Sequence, residues 1–310
     1  MVLGGGARRA RLLMFDRGLF HGGLDKLDPR LLDKTTRLLG WRPSQWREVV
    51  GGYTPSRRFV VADGVRRAFV KVATTPVTVG MLRRELAAYG RISGPFMPTF
   101  LGGLDEDDEP MLAIEDLSEA RWPPPWDAGS IELVLRAIET MHETKAAVPP
   151  YAEVQAGRDE CWTMVERDPQ PFLALGFCSA EWLRSALPEL IAAEAACPTD
   201  GDALCHGDLR SDNLCIVGQR AVLFDWPEAC LSNPELDLGL MLPSLAEEGG
   251  PLPEVILPGA PEVAAFVSGF FAARAGLPPI PGSPGVRPVQ LRQLRTALPW
   301  VVRALGLPTP

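Results

Sequence analysis

Residues 204–229 read LCHGDLRSDNLCIVGQRAVLFDWPEA, and no other stretch restricts the chain so strongly. Two apolar runs, Leu214–Val217 and Ala221–Phe224, are separated by Gly218, Gln219 and Arg220, the pattern of an antiparallel hairpin. With Val217 opposite Ala221, the same register sets Asn213 opposite Asp225, at a Cα separation of about 4.5–5.5 Å. An amide oxygen and a carboxylate then converge at the open end of a hairpin. That donor set suits Mg²⁺, which takes oxygen ligands, few of them from protein. Asp208 lies on the loop leading into the hairpin, five residues before Asn213. It is a candidate to accept a proton from a hydroxyl attacking a metal-bound phosphate.

Independent support lies upstream. The chain carries its positive charge as 27 Arg and only 4 Lys, so Lys71 inside Phe69-Val70-Lys71-Val72 stands out. In a strand it shares a face with Phe69 and Ala73, where an ammonium is costly without a partner. Glu85 has the mirror problem on the Leu82/Leu86/Tyr89 stripe of a helix expected over residues 77–91. Pairing the two resolves both. Strands are expected over residues 47–50, 57–62, 66–73, 96–102 and 110–115, with Asp63-Gly64 as a two-residue hairpin turn. The Gly51-Gly52-Tyr53-Thr54-Pro55-Ser56 segment joins the first two.

The Pro-rich segment 122–126 marks a boundary, after which residues 130–143, 180–196, 261–275 and 289–305 have helical patterning. The fold class is α+β: a strand-rich lobe with one helix, then a larger, mainly helical lobe. Three segments are expected: a helical extension over 1–45, which includes a helix at 29–39, a first lobe over 46–117 and a second over 118–310. Acidic residues 105–109 are expected to form a solvated turn. Residues 1–60 have a balance of +7 and residues 61–310 one of −15, within a formal net charge of −8. The basic residues alternate with apolar ones at helical spacing without a basic–aromatic stacking pattern, so nucleic acid is not the expected partner. No apolar stretch is long enough to span a bilayer and no h-region follows the basic start, so neither membrane nor secretion is expected. Six Cys without a C-x-x-C pair fit a reduced, cytoplasmic protein. No G-x-S-x-G and no Gly-Lys occur, and Arg9 interrupts a dinucleotide fingerprint begun by Gly4 and Gly6. The spacing of Cys205, His206 and Cys215 matches no paired zinc motif.

His206-Gly207-Asp208, followed by Asn213 and then Asp225, resembles the H-G-D-x-x-x-x-N…D signature of the protein-kinase-like superfamily, and more closely its aminoglycoside phosphotransferase branch. The resemblance covers about residues 46–245 and includes Pro234-Glu235-Leu236-Asp237-Leu238, similar to the family's P-x-x-D-L segment, whose Asp braces the catalytic loop. It implies a bilobal kinase-like fold and an ATP- and Mg²⁺-dependent transfer of phosphate to a small-molecule hydroxyl, with GTP an open alternative. It further implies that Asp208 is the base and that Asn213 and Asp225 hold the metal. Lys71, oriented by Glu85, would hold the nucleotide phosphates. Gly51, Gly52, Thr54 and Ser56 would cover them, and the backbone at Glu115 and Leu117 would read the adenine edge as part of the hinge Ile114–Leu117. Arg210 stands where protein kinases carry a Lys that contacts the transferred phosphate. His206 and His142 are expected to be structural. Acceptors in view are an aminoglycoside-like or peptide antibiotic, a macrolide, or a metabolite such as homoserine or choline; a nucleotide-binding pseudokinase scaffold is the rival class. Residues 121–310 hold 13 Lys+Arg against 24 Asp+Glu, from which a cationic acceptor is expected. Monomer and homodimer are both open.

Overall fold

Period-two patterning organises the first lobe. Ala68, Val70 and Val72 point to one face of the sheet with Met111 and Ala113, while Phe69, Lys71, Leu112 and Ile114 point to the other. The computed structural model describes residues 21–22, 28–49, 51–106, 108–156 and 160–310. The sheet comprises β1 (His21–Gly22), β2 (Gln45–Glu48), β3 (Arg57–Ala62), β4 (Arg67–Val72), β5 (Phe100–Leu104) and β6 (Met111–Ile114). Its six strands run in the order β1-β2-β3-β4-β6-β5, with every pair antiparallel.

Helix α1 (Pro29–Leu39) covers the first face, capped by Asp28 and stopped by Gly40 at φ 70°. Leu31, Leu32 and Leu38 bury against Trp46, Phe59 and Val61. The expected extension therefore divides otherwise: residues 1–20 lie outside the described residues, and the helix belongs to the core of the first lobe. Lys34 and Arg37 reach across to Glu109 and Glu106, so the acidic turn is partly neutralised by α1.

Three strand expectations need correction. β2 begins at Gln45, two residues early, because Trp46 must face inward onto Phe59 at a centroid distance of 5.8 Å. Pairing of Ala62 with Arg67 makes the Asp63-Gly64 connection a four-residue turn, closed by Asp63 Oδ1 accepting from the N–H groups of Val65 and Arg66. β5 starts at Phe100 because Pro95 and Pro98 cannot donate to a ladder; Phe96 instead inserts toward Trp226, 5.9 Å away between centroids.

Helix α2 (Pro76–Tyr89) follows β4, started by a Thr75–Thr78 capping box with proline at the first helical position. The second lobe holds α3 (Ala128–Glu143), α4 (Tyr151–Val154), α5 (Cys161–Arg167), α6 (Gln170–Leu173), α7 (Ala180–Ala195), α8 (Pro234–Glu247), α9 (Pro253–Ile256), α10 (Pro261–Ala275) and α11 (Val286–Leu305). Two short ribbons, β7 (Ala203–Cys205) with β10 (Cys230–Ser232) and β8 (Leu214–Val217) with β9 (Arg220–Leu223), lie between α7 and α8. One apolar cluster runs from Leu82 and Tyr89 of the first lobe through Phe96 and Trp226 to Trp300 of α11. It holds the lobes together on both sides of a cleft. Among the described residues, no helix is long and apolar enough to cross a membrane.

Candidate active site

The cleft is a cavity of about 620 Å³ between the sheet and the helices. On its upper wall, Lys71 Nζ donates to Glu85 Oε2 and to Asp225 Oδ1, each at 2.7 Å. Glu85 comes from α2, whose capped start fixes the helix against β4 and β6. Lys71 and Glu85 are buried, whereas Asp225 keeps 35% of its side chain open to the cleft. Burial works against the Lys71 ammonium, but Asp225 and Glu85 outweigh it and hold its pKa above the ordinary lysine value. Burial likewise opposes ionisation of Asp225, yet Lys71 and then Arg58 bring its pKa down to about 2. Glu85 is raised by burial, with Lys71 pulling against it.

Sequence patterning gave no notice of Arg58. In the β3–β4 register it sits opposite Lys71. Its Nη1 donates to the carbonyls of Gly51 (3.0 Å), Thr54 (3.3 Å) and Ser56 (2.8 Å), and its Nη2 to Thr54 Oγ1 at 3.0 Å. Residues 51–56 thus wrap around one guanidinium. Gly52 is required there: its φ is 78°, and a Cβ would lie 2.6 Å from Arg58 Nη2. Burial lowers the Arg58 pKa, with Asp225 and Glu85 opposing. The one available signal was the pairing register, since alternation alone does not reveal which cation faces Lys71.

Across the cleft, the loop after β7 is braced from below. Asp237 of α8 accepts from the N–H of His206 (3.0 Å) and Gly207 (2.9 Å), and its Oδ2 lies 3.2 Å from His142 Nε2. Gly207 has φ 76°, and a Cβ there would collide with the carbonyl of Glu228. His206 is fully buried, its ring tilted 45° against that of Trp226 at 4.5 Å between centroids, and is bonded through Nε2 to the Phe224 carbonyl. Burial depresses its pKa, with Asp237 opposing, which favours the neutral ring.

Asp208 sits above this brace with 40% of its side chain facing the cleft. Burial raises its pKa and Arg210 pulls it back; Asp212, Asp225 and Glu228 push it up again, to about 7. Arg210 Nη1 contacts Asp208 Oδ1 at 2.8 Å, and Nε contacts Asp212 Oδ1 at 2.9 Å. Arg210, for which the resemblance implies a contact with the transferred phosphate, clamps two carboxylates at the edge of the cleft. Burial opposes its charge, but those two carboxylates raise its pKa.

The hairpin register differs by one residue from the expected one. Val217 pairs with Arg220 across a two-residue turn with Gly218 at φ 59°, so Asn213 lies opposite Phe224, whose N–H donates to the Asn213 carbonyl at 3.0 Å. Asp225 follows with φ 68°, and no other described non-glycine residue has positive φ. Asn213 Nδ2 donates to Asp208 O at 2.8 Å and approaches Asp208 Oδ2 at 3.3 Å. This leaves Asn213 Oδ1 and Asp225 Oδ2 without a hydrogen bond among the described residues, and both residues line the cavity. Two hard oxygen donors, one of them on an ionised carboxylate, fit a divalent cation such as Mg²⁺.

Gly51, Gly52 and Thr54 line the cavity, but Ser56 does not. Glu115 and Leu117 are also off the lining, which stops at Ile114. Glu115 Oε1 instead accepts from the Thr99 N–H and from Arg220, while the Leu117 carbonyl accepts from Trp122 Nε1. The wall opposite the sheet, formed by residues of α4, α5, α7, α8, α10 and α11, had no sequence signal at all.

The sequence pattern of the phosphotransferase enzyme family, APH, matches residues 45–288. No curated protein sequence matches the chain. Among solved structures, a thermostable mutant of aminoglycoside phosphotransferase APH(4)-Ia, in ternary complex with AMP-PNP and hygromycin B, is 14% identical with a TM-score of 0.56, covering 89% of this chain and 99% of that one. Spectinomycin phosphotransferase APH(9)-Ia, in complex with ADP and spectinomycin, is 12% identical with a TM-score of 0.53, covering 89% and 98%. A choline/ethanolamine kinase family protein from Mesorhizobium loti is 16% identical with a TM-score of 0.51, covering 84% and 91%. The chain belongs to the phosphotransferase enzyme family, and its bilobal fold is that of the aminoglycoside phosphotransferases.

Proposed function

We propose that the protein transfers the γ-phosphate of ATP to a hydroxyl group of a small molecule, with Mg²⁺ as cofactor. The observation that carries this reading is the Lys71 ammonium held 2.7 Å from both Glu85 and Asp225, in one cavity with Asp208 and Asn213. Lys71 and Arg58 supply fixed positive charge where phosphate oxygens would lie, under residues 51–54. Asp208 takes the proton of the acceptor hydroxyl as its oxygen attacks the γ-phosphorus, and ADP departs. Arg210 and Asn213 fix the Asp208 carboxylate for that step. Asn213 Oδ1 and Asp225 would hold the cation, which would supply neutralisation of phosphate charge. Catalysis of this kind is mostly positioning and electrostatics. The first lobe, to about residue 117, is the nucleotide-binding part, and 118–310 hold the catalytic loop and the acceptor. GTP is the alternative donor.

An aminoglycoside-like antibiotic is one acceptor reading, supported by regional acidity and by the hygromycin B and spectinomycin of two structural neighbours. A metabolite acceptor draws support from the choline/ethanolamine kinase family neighbour. A pseudokinase is disfavoured by the joint presence of Lys71, Glu85, Asp208, Asn213 and Asp225 in one cleft. Six free cysteines, five of them buried, fit a reducing cytoplasmic setting. The test is ADP release from ATP across a panel of hydroxylated compounds. Acceptor-dependent release that disappears in Asp208→Asn supports the transfer reaction, and nucleotide binding without turnover of any acceptor refutes it.

A further inference from the structure

The acceptor side of the cavity has a chemistry of its own; its assignment as the acceptor side rests on the phosphotransfer reading. Phe266, Phe270 and Arg274 stand four residues apart on α10, which places them on one helix face, and all three line the cavity. Tyr151 packs edge-on against Phe266 at 6.4 Å between centroids, and the Arg274 guanidinium lies 4.4 Å over the Phe270 ring. Gln155, four residues after Tyr151, donates to Glu228 Oε2 at 3.4 Å. The wall thus runs from Glu228, beside the catalytic loop, through an amide and three aromatic rings to a guanidinium.

This is a poor surface for a polycation. Such a ligand needs uncommitted carboxylates facing the rings; Glu160 is exposed at the rim and accepts from Thr163 Oγ1 at 3.3 Å, while the two carboxylates deeper in the wall are engaged. Glu194 accepts from the N–H groups of Cys161 (2.9 Å) and Trp162 (2.7 Å). Glu228 is bound by Arg84 at 3.0 Å as well as by Gln155. Arg274 adds repulsion: it donates to Cys161 Sγ and to the Phe270 carbonyl, and no carboxylate lies at ion-pair distance among the described residues. The wall does offer apolar ring faces. It also offers two glutamine side chains, Gln155 (8% exposed) and Gln293 (4% exposed), whose Oε1 atoms have no hydrogen-bond partner among the described residues. A buried amide oxygen left unpaired is costly, and a ligand N–H or O–H would relieve that cost after a small turn of the amide.

We propose that the acceptor is an alcohol with an apolar ring body, seated on Phe266 and Phe270 with hydrogen-bond donors toward Gln155 and Gln293, rather than a polycation. Regional acidity, the basis for expecting a cationic acceptor, belongs on this account to committed carboxylates and solvated helix faces.

The test is calorimetric titration of the full chain, saturated with AMP-PNP and Mg²⁺, with 2-(2-naphthyl)ethanol and with hygromycin B. The naphthyl alcohol should bind and hygromycin B should not. Phe270→Ala should weaken naphthyl binding by about tenfold or more. Phe270→Leu, which keeps apolar volume but removes the ring, should weaken it less and guards against a folding defect in the alanine variant. Arg274→Gln should improve hygromycin B binding if it changes it at all. Stronger binding of hygromycin B by the unmodified chain, absence of naphthyl binding, or indifference to both Phe270 variants would each overturn the proposal. Binding of AMP-PNP with Mg²⁺ is read separately in the same cell. Its absence would sink the phosphotransfer reading without touching the acceptor wall.

Discussion

The nucleotide half and the acceptor half of the cleft share one cavity but use their polar groups in opposite ways. In the nucleotide half and the catalytic loop beside it, ion pairs dominate: Lys71 with Glu85 and Asp225, Arg210 with Asp208 and Asp212, while Arg58 is held by backbone carbonyls. In the acceptor half, rings and amides dominate, and two amide oxygens have no hydrogen-bond partner among the described residues. A half built from ion pairs is rigid before any ligand arrives, because breaking one member leaves a buried charge exposed to low dielectric. A half built from rings and amides selects by shape and by donor placement. On the proposed reading, the first half fixes the reaction and the second fixes the acceptor.

Four measurements would break or sharpen that contrast. Asp208→Asn should lower kcat by at least about 10², the lower end of a general-base contribution, while AMP-PNP affinity in calorimetry stays near that of the unmodified chain. Near-normal turnover in a folded variant would remove Asp208 from the reaction. Lys71→Ala should destabilise the fold by about 3–5 kcal/mol in urea unfolding, because Glu85 would be left buried without its cation. A Lys71→Ala/Glu85→Leu double variant should recover part of that loss, and strictly additive costs would contradict the coupling. Arg58→Ala should weaken nucleotide binding about tenfold, since it frees residues 51–56 and removes charge-assisted hydrogen bonds worth about 1.5–3 kcal/mol each. An unchanged Kd would show that the loop holds itself. The smallest effect is expected in the acceptor half. Its KM should move less than about twofold as added salt shortens the screening length from about 10 Å to about 3 Å. A steep rise with salt would restore a cationic acceptor.

The same division explains what was legible in the sequence. Asp208, Asn213, Asp225, Lys71 and Glu85 could be read because their chemistry requires fixed spacing or makes a charged residue conspicuous on an apolar face. The hairpin was legible too, but its register slipped by one because Gly218-Gln219 forms a two-residue turn and Arg220 is already in β9. Arg58 was hidden because its role depends on facing Lys71 across a strand pair, which no local pattern encodes. The acceptor wall was hidden for a different reason. Phe266 and Phe270 belong to a helix that is apolar on nearly every face, so residues bound for the cavity look like residues bound for the core. Helix α8 went unrecognised for the same reason, although Asn233 and Pro234 mark its start.

Asp225 holds a left-handed backbone conformation, at φ 68°, at the point where the hairpin ends. Among side chains, aspartate and asparagine tolerate that conformation most readily, and other residues apart from glycine meet a steric cost of about 1–2 kcal/mol. One nucleotide change converts an aspartate codon to an asparagine codon. The position therefore gives lineages of this fold a short mutational route to a chain that keeps its backbone but lacks the negative charge that, on the proposed reading, would hold a divalent cation. Loss of catalysis and loss of fold are separable at this residue, and inactive relatives that persist as binding proteins should carry asparagine here more often than alanine.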